Sequence, residues 1–121
     1  MITGIDLNAT QDYTCKEDKE DPTVWKLGML PSFVLSQITA SAKADQTKAI
    51  YNIVQVGLKG WENFKISGKA VPFNVEEQEI FGKKMQVIPL DVLNAIPFIV
   101  VVELSTKIMD INNLTGAEQK N

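Results

Sequence analysis

The side chains of this sequence that could carry out chemistry are mainly carboxylates. The chain has no histidine and one cysteine, Cys15. One chain therefore cannot assemble a Ser-His-Asp triad, a Cys-His pair, a Cys/His zinc site or an internal disulfide. The surroundings of Cys15, "DYTCKEDKED", are acidic, which raises the pKa of a thiol rather than lowering it. We interpret Cys15 as an unreactive thiol.

The carboxylates Glu76, Glu77 and Glu79, with Asp91, are the remaining candidates for acid–base catalysis. Paired carboxylates can do such work when their surroundings separate their pKa values. No apolar pocket is visible around these carboxylates, so we favour a solvated surface. The run "KEDKED" at residues 16–21 lacks the ligand spacing of an EF-hand. The sequence predicts a protein that is not an enzyme, with no catalytic residue, no cofactor and no metal site.

Size and composition predict one domain, residues 1–121. The 121 residues are 45% hydrophobic, enough for a core without disulfides or metals. A net charge of −3 and a pI of about 4.9 argue against partners such as nucleic acid or an anionic membrane. The apolar run at residues 95–102 is too short to cross a bilayer, and the N-terminus lacks a signal-peptide pattern. We expect synthesis in a cytoplasm.

The N-terminal part is predicted to be an arm, residues 1–20, that contributes a hairpin. "TVWKLGML" at residues 23–30 has the composition of a strand, with Trp25 and Leu27 on one side and Val24 on the other. Its hairpin partner is "QDYTCK", which contains Tyr13.

Two helices are predicted next, joined as a helical hairpin. The first begins near Pro31 and continues to about Ala44, and the second begins after Asp45, whose side chain can cap it. Apolar residues repeat at helical spacing as far as Trp61, and Gly60 is suited to end the helix in the left-handed conformation. Residues 65–73 suit a loop or a short strand with a Ser-Gly turn at residues 67–68, which brings Phe73 to the same apolar cluster.

The remaining segments complete an α+β, mainly helical prediction. Residues 76–88 suit two short strands that turn at "FGKK", or a helix interrupted at Gly82, and we favour the strands. "LDVLNAI" suits one or two helical turns, and residues 97–111 suit a largely buried helix that begins at a proline. Residues 112–121 are predicted to be a polar tail. The fold expected is a helical hairpin plus a C-terminal helix, with a small antiparallel sheet and extended terminal arms.

Three segments together resemble small proteins encoded among the head and tail genes of tailed bacteriophages. They are "DPTVWKLGMLPS", "VGLKGWENF" followed by "GKAVPF", and "NNLTGAEQKN". The resemblance covers most of the chain, from residue 21 to residue 121. It implies a non-enzymatic virion component, such as a minor capsid, neck or tail-associated protein, or a tail assembly chaperone that is absent from the mature particle. It supplies no functional residues.

On this hypothesis the chain acts through contacts with other phage structural proteins and with copies of itself, inside the virion. The N-terminal segment could add a strand to a neighbouring sheet, and the apolar C-terminal helix is a second candidate contact. Trp25, Trp61, Phe64 and Phe73 are expected to pack together rather than bind a ligand. The candidate partner-binding residues are Tyr13, Val24, Trp25, Leu27, Phe98, Val101 and Ile108.

Overall fold

The computed structural model describes residues 1–120, with side chains as far as Asn112. The described chain has four helices and seven short strands, in the order two strands, two helices, five strands and two helices. The strands are β1 (Thr10–Tyr13), β2 (Val24–Gly28), β3 (Leu58–Glu62), β4 (Lys65–Ile66), β5 (Lys69–Ala70), β6 (Glu76–Ile80) and β7 (Lys83–Val87). The helices are α1 (Ser32–Ser41), α2 (Gln46–Gly57), α3 (Leu90–Ala95) and α4 (Phe98–Lys120).

The largest sheet is antiparallel and has the order β1-β2-β3. The predicted hairpin between "QDYTCK" and "TVWKLGML" is confirmed, because Tyr13 pairs with Trp25. On the other side of β2, Trp25 pairs with Trp61, and their rings meet edge to face with centroids 6.1 Å apart. Such cross-strand aromatic pairs are a main source of stability in a sheet. Since β2 is the central strand, its backbone has no free edge to offer a partner.

The predicted aromatic cluster is confirmed around this pair. Phe64 lies 5.1 Å from Trp25 and 5.2 Å from Trp61, measured between ring centroids. Phe73 packs edge-on against Trp61 at 4.7 Å. The indole N–H of Trp61 donates a 2.7 Å hydrogen bond to the carbonyl oxygen of Val71. That bond fixes the segment after β5 to the sheet and satisfies the indole N–H, which usually has a partner when tryptophan is buried.

Helix α2 begins where the sequence predicts and ends earlier. The carboxylate of Asp45 accepts a 3.0 Å hydrogen bond from the backbone N–H of Lys48, so the predicted cap is confirmed. The helix stops at Gly57, and the next five residues form β3. The predictions that Trp61 belongs to this helix and that Gly60 ends it in the left-handed region are wrong, since Gly60 pairs with Lys26 in the sheet. Spacing along the chain does not reveal that β2 is available for pairing.

Two hairpins are closed by two-residue turns. Ser67 and Gly68 connect β4 to β5, with φ of 53° and 78°. Phe81 and Gly82 connect β6 to β7, with φ of 50° and 80°. Positive φ at both central residues is the type I′ pattern, whose twist matches that of the flanking strands. The Ser-Gly turn and the strand interpretation of residues 76–88 are therefore confirmed.

The core is one cluster to which the three-stranded sheet, all four helices and the β6–β7 hairpin contribute. Buried positions of α4 recur at helical spacing: Val101, Leu104, Ile108 and Asn112. Helix α4 packs closely on α2, where a Cβ added to Gly57 would lie 2.7 Å from Cγ2 of Ile108. The prediction of a C-terminal helix that follows a proline is confirmed. The expectation that most of its surface is buried is wrong, because the core covers one face and leaves Phe98, Ile99, Thr106 and Asp110 exposed. The helix continues past Gly116 to Lys120, whereas the sequence predicts a polar tail from residue 112.

The expectation that the fold is mainly helical is wrong. The class is α+β, but seven strands form three antiparallel sheets in the described chain, where the sequence predicts one small sheet. The strand β3 occupies a segment interpreted as a helix end, and β4 and β5 occupy a segment interpreted as a loop or short strand. Short strands of two to five residues carry little periodicity of their own, and pairing with distant segments determines them.

Candidate partner-binding groove

A groove of about 530 Å³ opens between three segments of the chain. One wall is the β1–β2 loop, the second is the end of β3 with β4, and the third is the junction of α3 and α4. We call it the loop groove. Its volume falls within the range of about 300–1,000 Å³ that is usual for ligand sites. These walls are distant in sequence, so only the tertiary fold brings them together.

The rim of the loop groove is acidic. Asp18, Glu20 and Asp21 line it from the β1–β2 loop, and Lys65 is the one basic residue among its lining side chains. Asp18 is engaged, because its carboxylate accepts a 2.9 Å hydrogen bond from the backbone N–H of Thr23. Glu20 and Asp21 are exposed, and neither forms an ion pair with a described residue. The rim therefore presents two free carboxylates to the groove.

Asn63 holds the two sides of the rim together. Its side-chain Nδ2 donates to the carbonyl oxygen of Asp21 at 2.7 Å and to that of Pro22 at 3.4 Å. In return, the hydroxyl of Thr23 donates to the carbonyl oxygen of Asn63 at 2.8 Å. Asp21 and Asn63 both have positive φ, 48° and 60°. Asn and Asp adopt this left-handed conformation more readily than other non-glycine residues.

The opposite wall and the floor are apolar. Ile66, Pro97 and Val100 contribute to the wall, and Trp25 and Phe64 lie at the floor. Both aromatic side chains are buried in the cluster described above, so the floor is rigid. An acidic rim over an apolar, aromatic floor combines the two chemistries that bind an amphipathic group.

Beside the groove, a hydrogen-bonded network ties α4 to the first strand. The phenol of Tyr13 donates to Oε2 of Glu103 at 2.6 Å, and the backbone N–H of Lys16 donates to the same oxygen at 2.9 Å. Mainly through the bond from Tyr13, the pKa of Glu103 is lowered. Burial first, and the nearby Glu103 carboxylate second, raise the pKa of Tyr13 to about 12 and that of Cys15 to about 11. The thiol of Cys15 is thus kept protonated mainly by burial and by Glu103, and the acidic residues next to it in sequence are a smaller cause.

The structure separates the seven predicted partner-binding residues into two groups. Trp25, Leu27, Val101 and Ile108 are buried in the core of the chain itself. We therefore correct their assignment to a partner surface, because apolar side chains at helical or alternating spacing pack inward before they contact anything else.

The other three predicted residues reach the surface to different extents. Tyr13 and Val24 are half-buried, and Tyr13 is occupied with Glu103. Phe98 is 52% exposed, and its neighbour Ile99 is 77% exposed. The Phe98 ring lies 6.1 Å from that of Tyr51 on α2. Phe98 is thus the predicted residue that is best placed for a partner.

The acidic residues considered for catalysis do not converge. Glu76, Glu77 and Glu79 lie exposed on β6, and Asp91 lies exposed in the first turn of α3. No group of three or more potential metal-ligating side chains occurs within the described part of the chain. These carboxylates form a solvated surface.

Sequence reasoning missed Asn63, Glu103 and the acidic rim. Two local patterns in the sequence could have indicated Asn63 and the rim. An Asn after a strand favours a left-handed turn, and "KEDKED" is a dense acidic run. The partners of Glu103 are 87 and 90 residues away, and no spacing rule covers such a separation.

Comparison with known protein families, with curated proteins and with solved structures gives no match. Among the described residues, no helix combines the length and the hydropathy that crossing a bilayer requires.

Proposed function

We propose that this chain is a non-enzymatic structural component of a tailed bacteriophage virion that acts through protein–protein contacts. The sequence resemblance supports the phage context, and one observation of the structure supports the mode of action. The N-terminal turn of α4, residues 97–100, exposes Ile99 and Phe98 directly beside the loop groove, which Pro97 and Val100 line. We call this turn the α4 tip.

Burial of the α4 tip would stabilise a complex. Burying a large aliphatic side chain contributes about 1.5–3 kcal/mol, and Ile99 retains most of its area for a partner. The tip is also held in place, because Val101 and Leu104 on the same helix are fully buried. Little conformational entropy would be lost on binding, which favours affinity. The expected partners are other phage structural proteins, including further copies of this chain.

The test of the phage role is quantitative mass spectrometry of purified particles beside the infected-cell lysate. A fixed number of copies per major capsid subunit is expected for a virion component. Presence in the lysate together with absence from particles would refute residence in the virion and favour the alternative, a tail assembly chaperone absent from the mature particle.

The test of the contact surface is the substitution Ile99→Asp. A carboxylate in the first turn of a helix is tolerated or stabilising, so the variant is expected to fold while losing incorporation into particles. Thr106→Asp is the matched control, since Thr106 is an exposed residue of the same helix two turns further on. Equal incorporation of both variants would show that the α4 tip makes no contact.

A further inference from the structure

We infer that the loop groove binds a segment of a partner protein in which a lysine or arginine lies next to apolar side chains. This inference rests on the proposed function, because it names the chemistry of the partner that the contact surface receives.

The negative charge of the rim favours a ligand of positive charge. Three carboxylates and one ammonium group line the groove, and the carboxylates of Glu20 and Asp21 have no ion-pair partner among the described residues. The whole chain also has a net charge of −3. An anionic segment would be repelled by both the rim and the whole chain, whereas a cationic one would be attracted at a distance and paired on arrival.

The apolar wall selects the type of cationic side chain. Lysine and arginine have an apolar stem that can lie on a hydrophobic surface while the charged head remains in a polar environment. In the loop groove, Pro97 and Val100 offer such a surface, and the rim lies across from them. Trp25 and Phe64 close the floor beneath that stem with further apolar surface. Apolar neighbours of the cationic residue would then cover Ile99 at the α4 tip.

The rim is built before any ligand arrives. The hydrogen bonds of Asn63 and Thr23 fix two residues with positive φ, Asp21 and Asn63, at the mouth of the groove. Backbone held in a sparsely populated conformation by its surroundings is concentrated at binding sites. Here the bonds fix the backbone from which the exposed Asp21 side chain projects, so that less loop ordering is needed on binding.

The experiment is an NMR titration of the ¹⁵N-labelled full chain with two peptides. The first is acetyl-Leu-Arg-Leu-Arg-Leu-amide, and the second has glutamate in place of both arginines. We expect the basic peptide alone to shift the signals of the Asn63 side-chain amide, the Lys65 backbone amide and the Trp25 indole N–H. Since exposed ion pairs are individually weak, Glu20→Gln with Asp21→Asn should reduce the affinity about 2- to 10-fold. Asparagine retains the positive φ at position 21.

The matched control is Glu77→Gln with Glu79→Gln, which changes the net charge equally at exposed positions of β6. This pair should leave the affinity within about 2-fold, because the screening length in physiological salt is about 8 Å. Equal effects of the two pairs, equal binding of the two peptides, or no binding of either would overturn the inference. Shifts at Asn63 and Lys65 on concentrating the chain alone would also overturn it, in favour of a second copy as the occupant.

The two proposals can fail independently. If the peptides do not bind but the chain is found in particles, the loop groove inference fails and the proposed function stands. If the basic peptide binds but the chain is found in neither particles nor assembly intermediates, the phage role fails. The inference that the loop groove binds a cationic, partly apolar segment then stands.

Discussion

Substitution of Asn112 by Asp should make the stability of the chain depend on pH in a defined direction. Asn112 is 4% exposed. Its Oδ1 accepts a 2.9 Å hydrogen bond from the backbone N–H of Leu30, and its Nδ2 donates a 2.7 Å bond to the carbonyl oxygen of Ile108. This side chain therefore ties α4 to the segment that follows β2. A protonated aspartic acid has nearly the same shape and can both accept from Leu30 and donate to Ile108.

Ionisation of the new carboxyl group would remove the donor and place a charge in the core. Burial raises the pKa of a carboxyl group by up to about 3–5 units, and each unit corresponds to about 1.4 kcal/mol. With a rise of about 2–4 units above the unfolded value near 3.9, the variant should lose about 3–4 kcal/mol at pH 7, where the unfolded carboxyl group is already ionised. The folded pKa is raised, so this loss is absent below about pH 4 and grows as the pH rises.

The assay is urea unfolding of the wild-type chain and of Asn112→Asp at pH 3.5, 5 and 7. We expect nearly equal free energies of unfolding at the lowest pH and a difference that widens to the full value at pH 7. Asn112→Ala is the control, because it leaves the N–H of Leu30 without an acceptor at every pH and should cost about 1–3 kcal/mol throughout. A difference for Asn112→Asp that does not change with pH would refute the role assigned to this side chain.

Three other perturbations test the packing and the network. Gly57→Ala should cost about 1–2 kcal/mol, since overpacking against Ile108 costs about 1–3 kcal/mol and exceeds the gain of about 0.5–1 kcal/mol in helix propensity. Thermal unfolding that shows a more stable variant would contradict the 2.7 Å approach. Asn63→Ala should be less stable than Asn63→Gly by about 1 kcal/mol, because both variants lose the side-chain amide but only alanine opposes the positive φ. Chemical denaturation measures the difference, and an equal or more stable alanine variant would show that the positive φ at this position is not strained. Burial first, and the bond to Glu103 second, raise the pKa of Tyr13 to about 12, so the contribution of this group to stability is complete below pH 10 and is lost as the pH rises towards 12. Tyr13→Phe should lower that sensitivity in alkaline unfolding curves, and identical slopes would show that ionisation of Tyr13 is not its origin.

Elements with a local cause were predictable. The side chain of Asp45 caps α2 within three residues, and the turns at Ser67 and Phe81 each precede a glycine that accepts positive φ. Pro97 precedes the first residue of α4. In each of these cases the residues that decide the structure are neighbours in sequence, so short-range rules apply.

The strand β3 shows why other elements were not predictable. Leu58 and Trp61 are three residues apart, which suits one face of a helix, and the sequence prediction extends α2 through them. Trp61 instead pairs with Trp25 of β2, which is far away in the chain. The larger number of strands, and with it the error in fold class, follows from pairing of this kind.

The loop groove depended on the same long-range organisation. The acidic run at residues 16–21 and Asn63 are visible in the sequence, but their approach requires β1, β2 and β3 to align. The exposure of Ile99 beside the groove likewise depends on which face of α4 the core covers.

By itself, the sequence determined which chemistries are excluded and where local structure begins and turns. The absence of histidine and the single cysteine rule out whole classes of site within one chain. Capping residues, prolines and glycines determine the backbone conformation only of residues close to them in sequence. Only the tertiary structure decided that Trp25, Leu27, Val101 and Ile108 are core and that Ile99 and Phe98 remain exposed. The physical reason is that burial and strand pairing are settled by contacts between distant segments, whose free energies no local pattern contains.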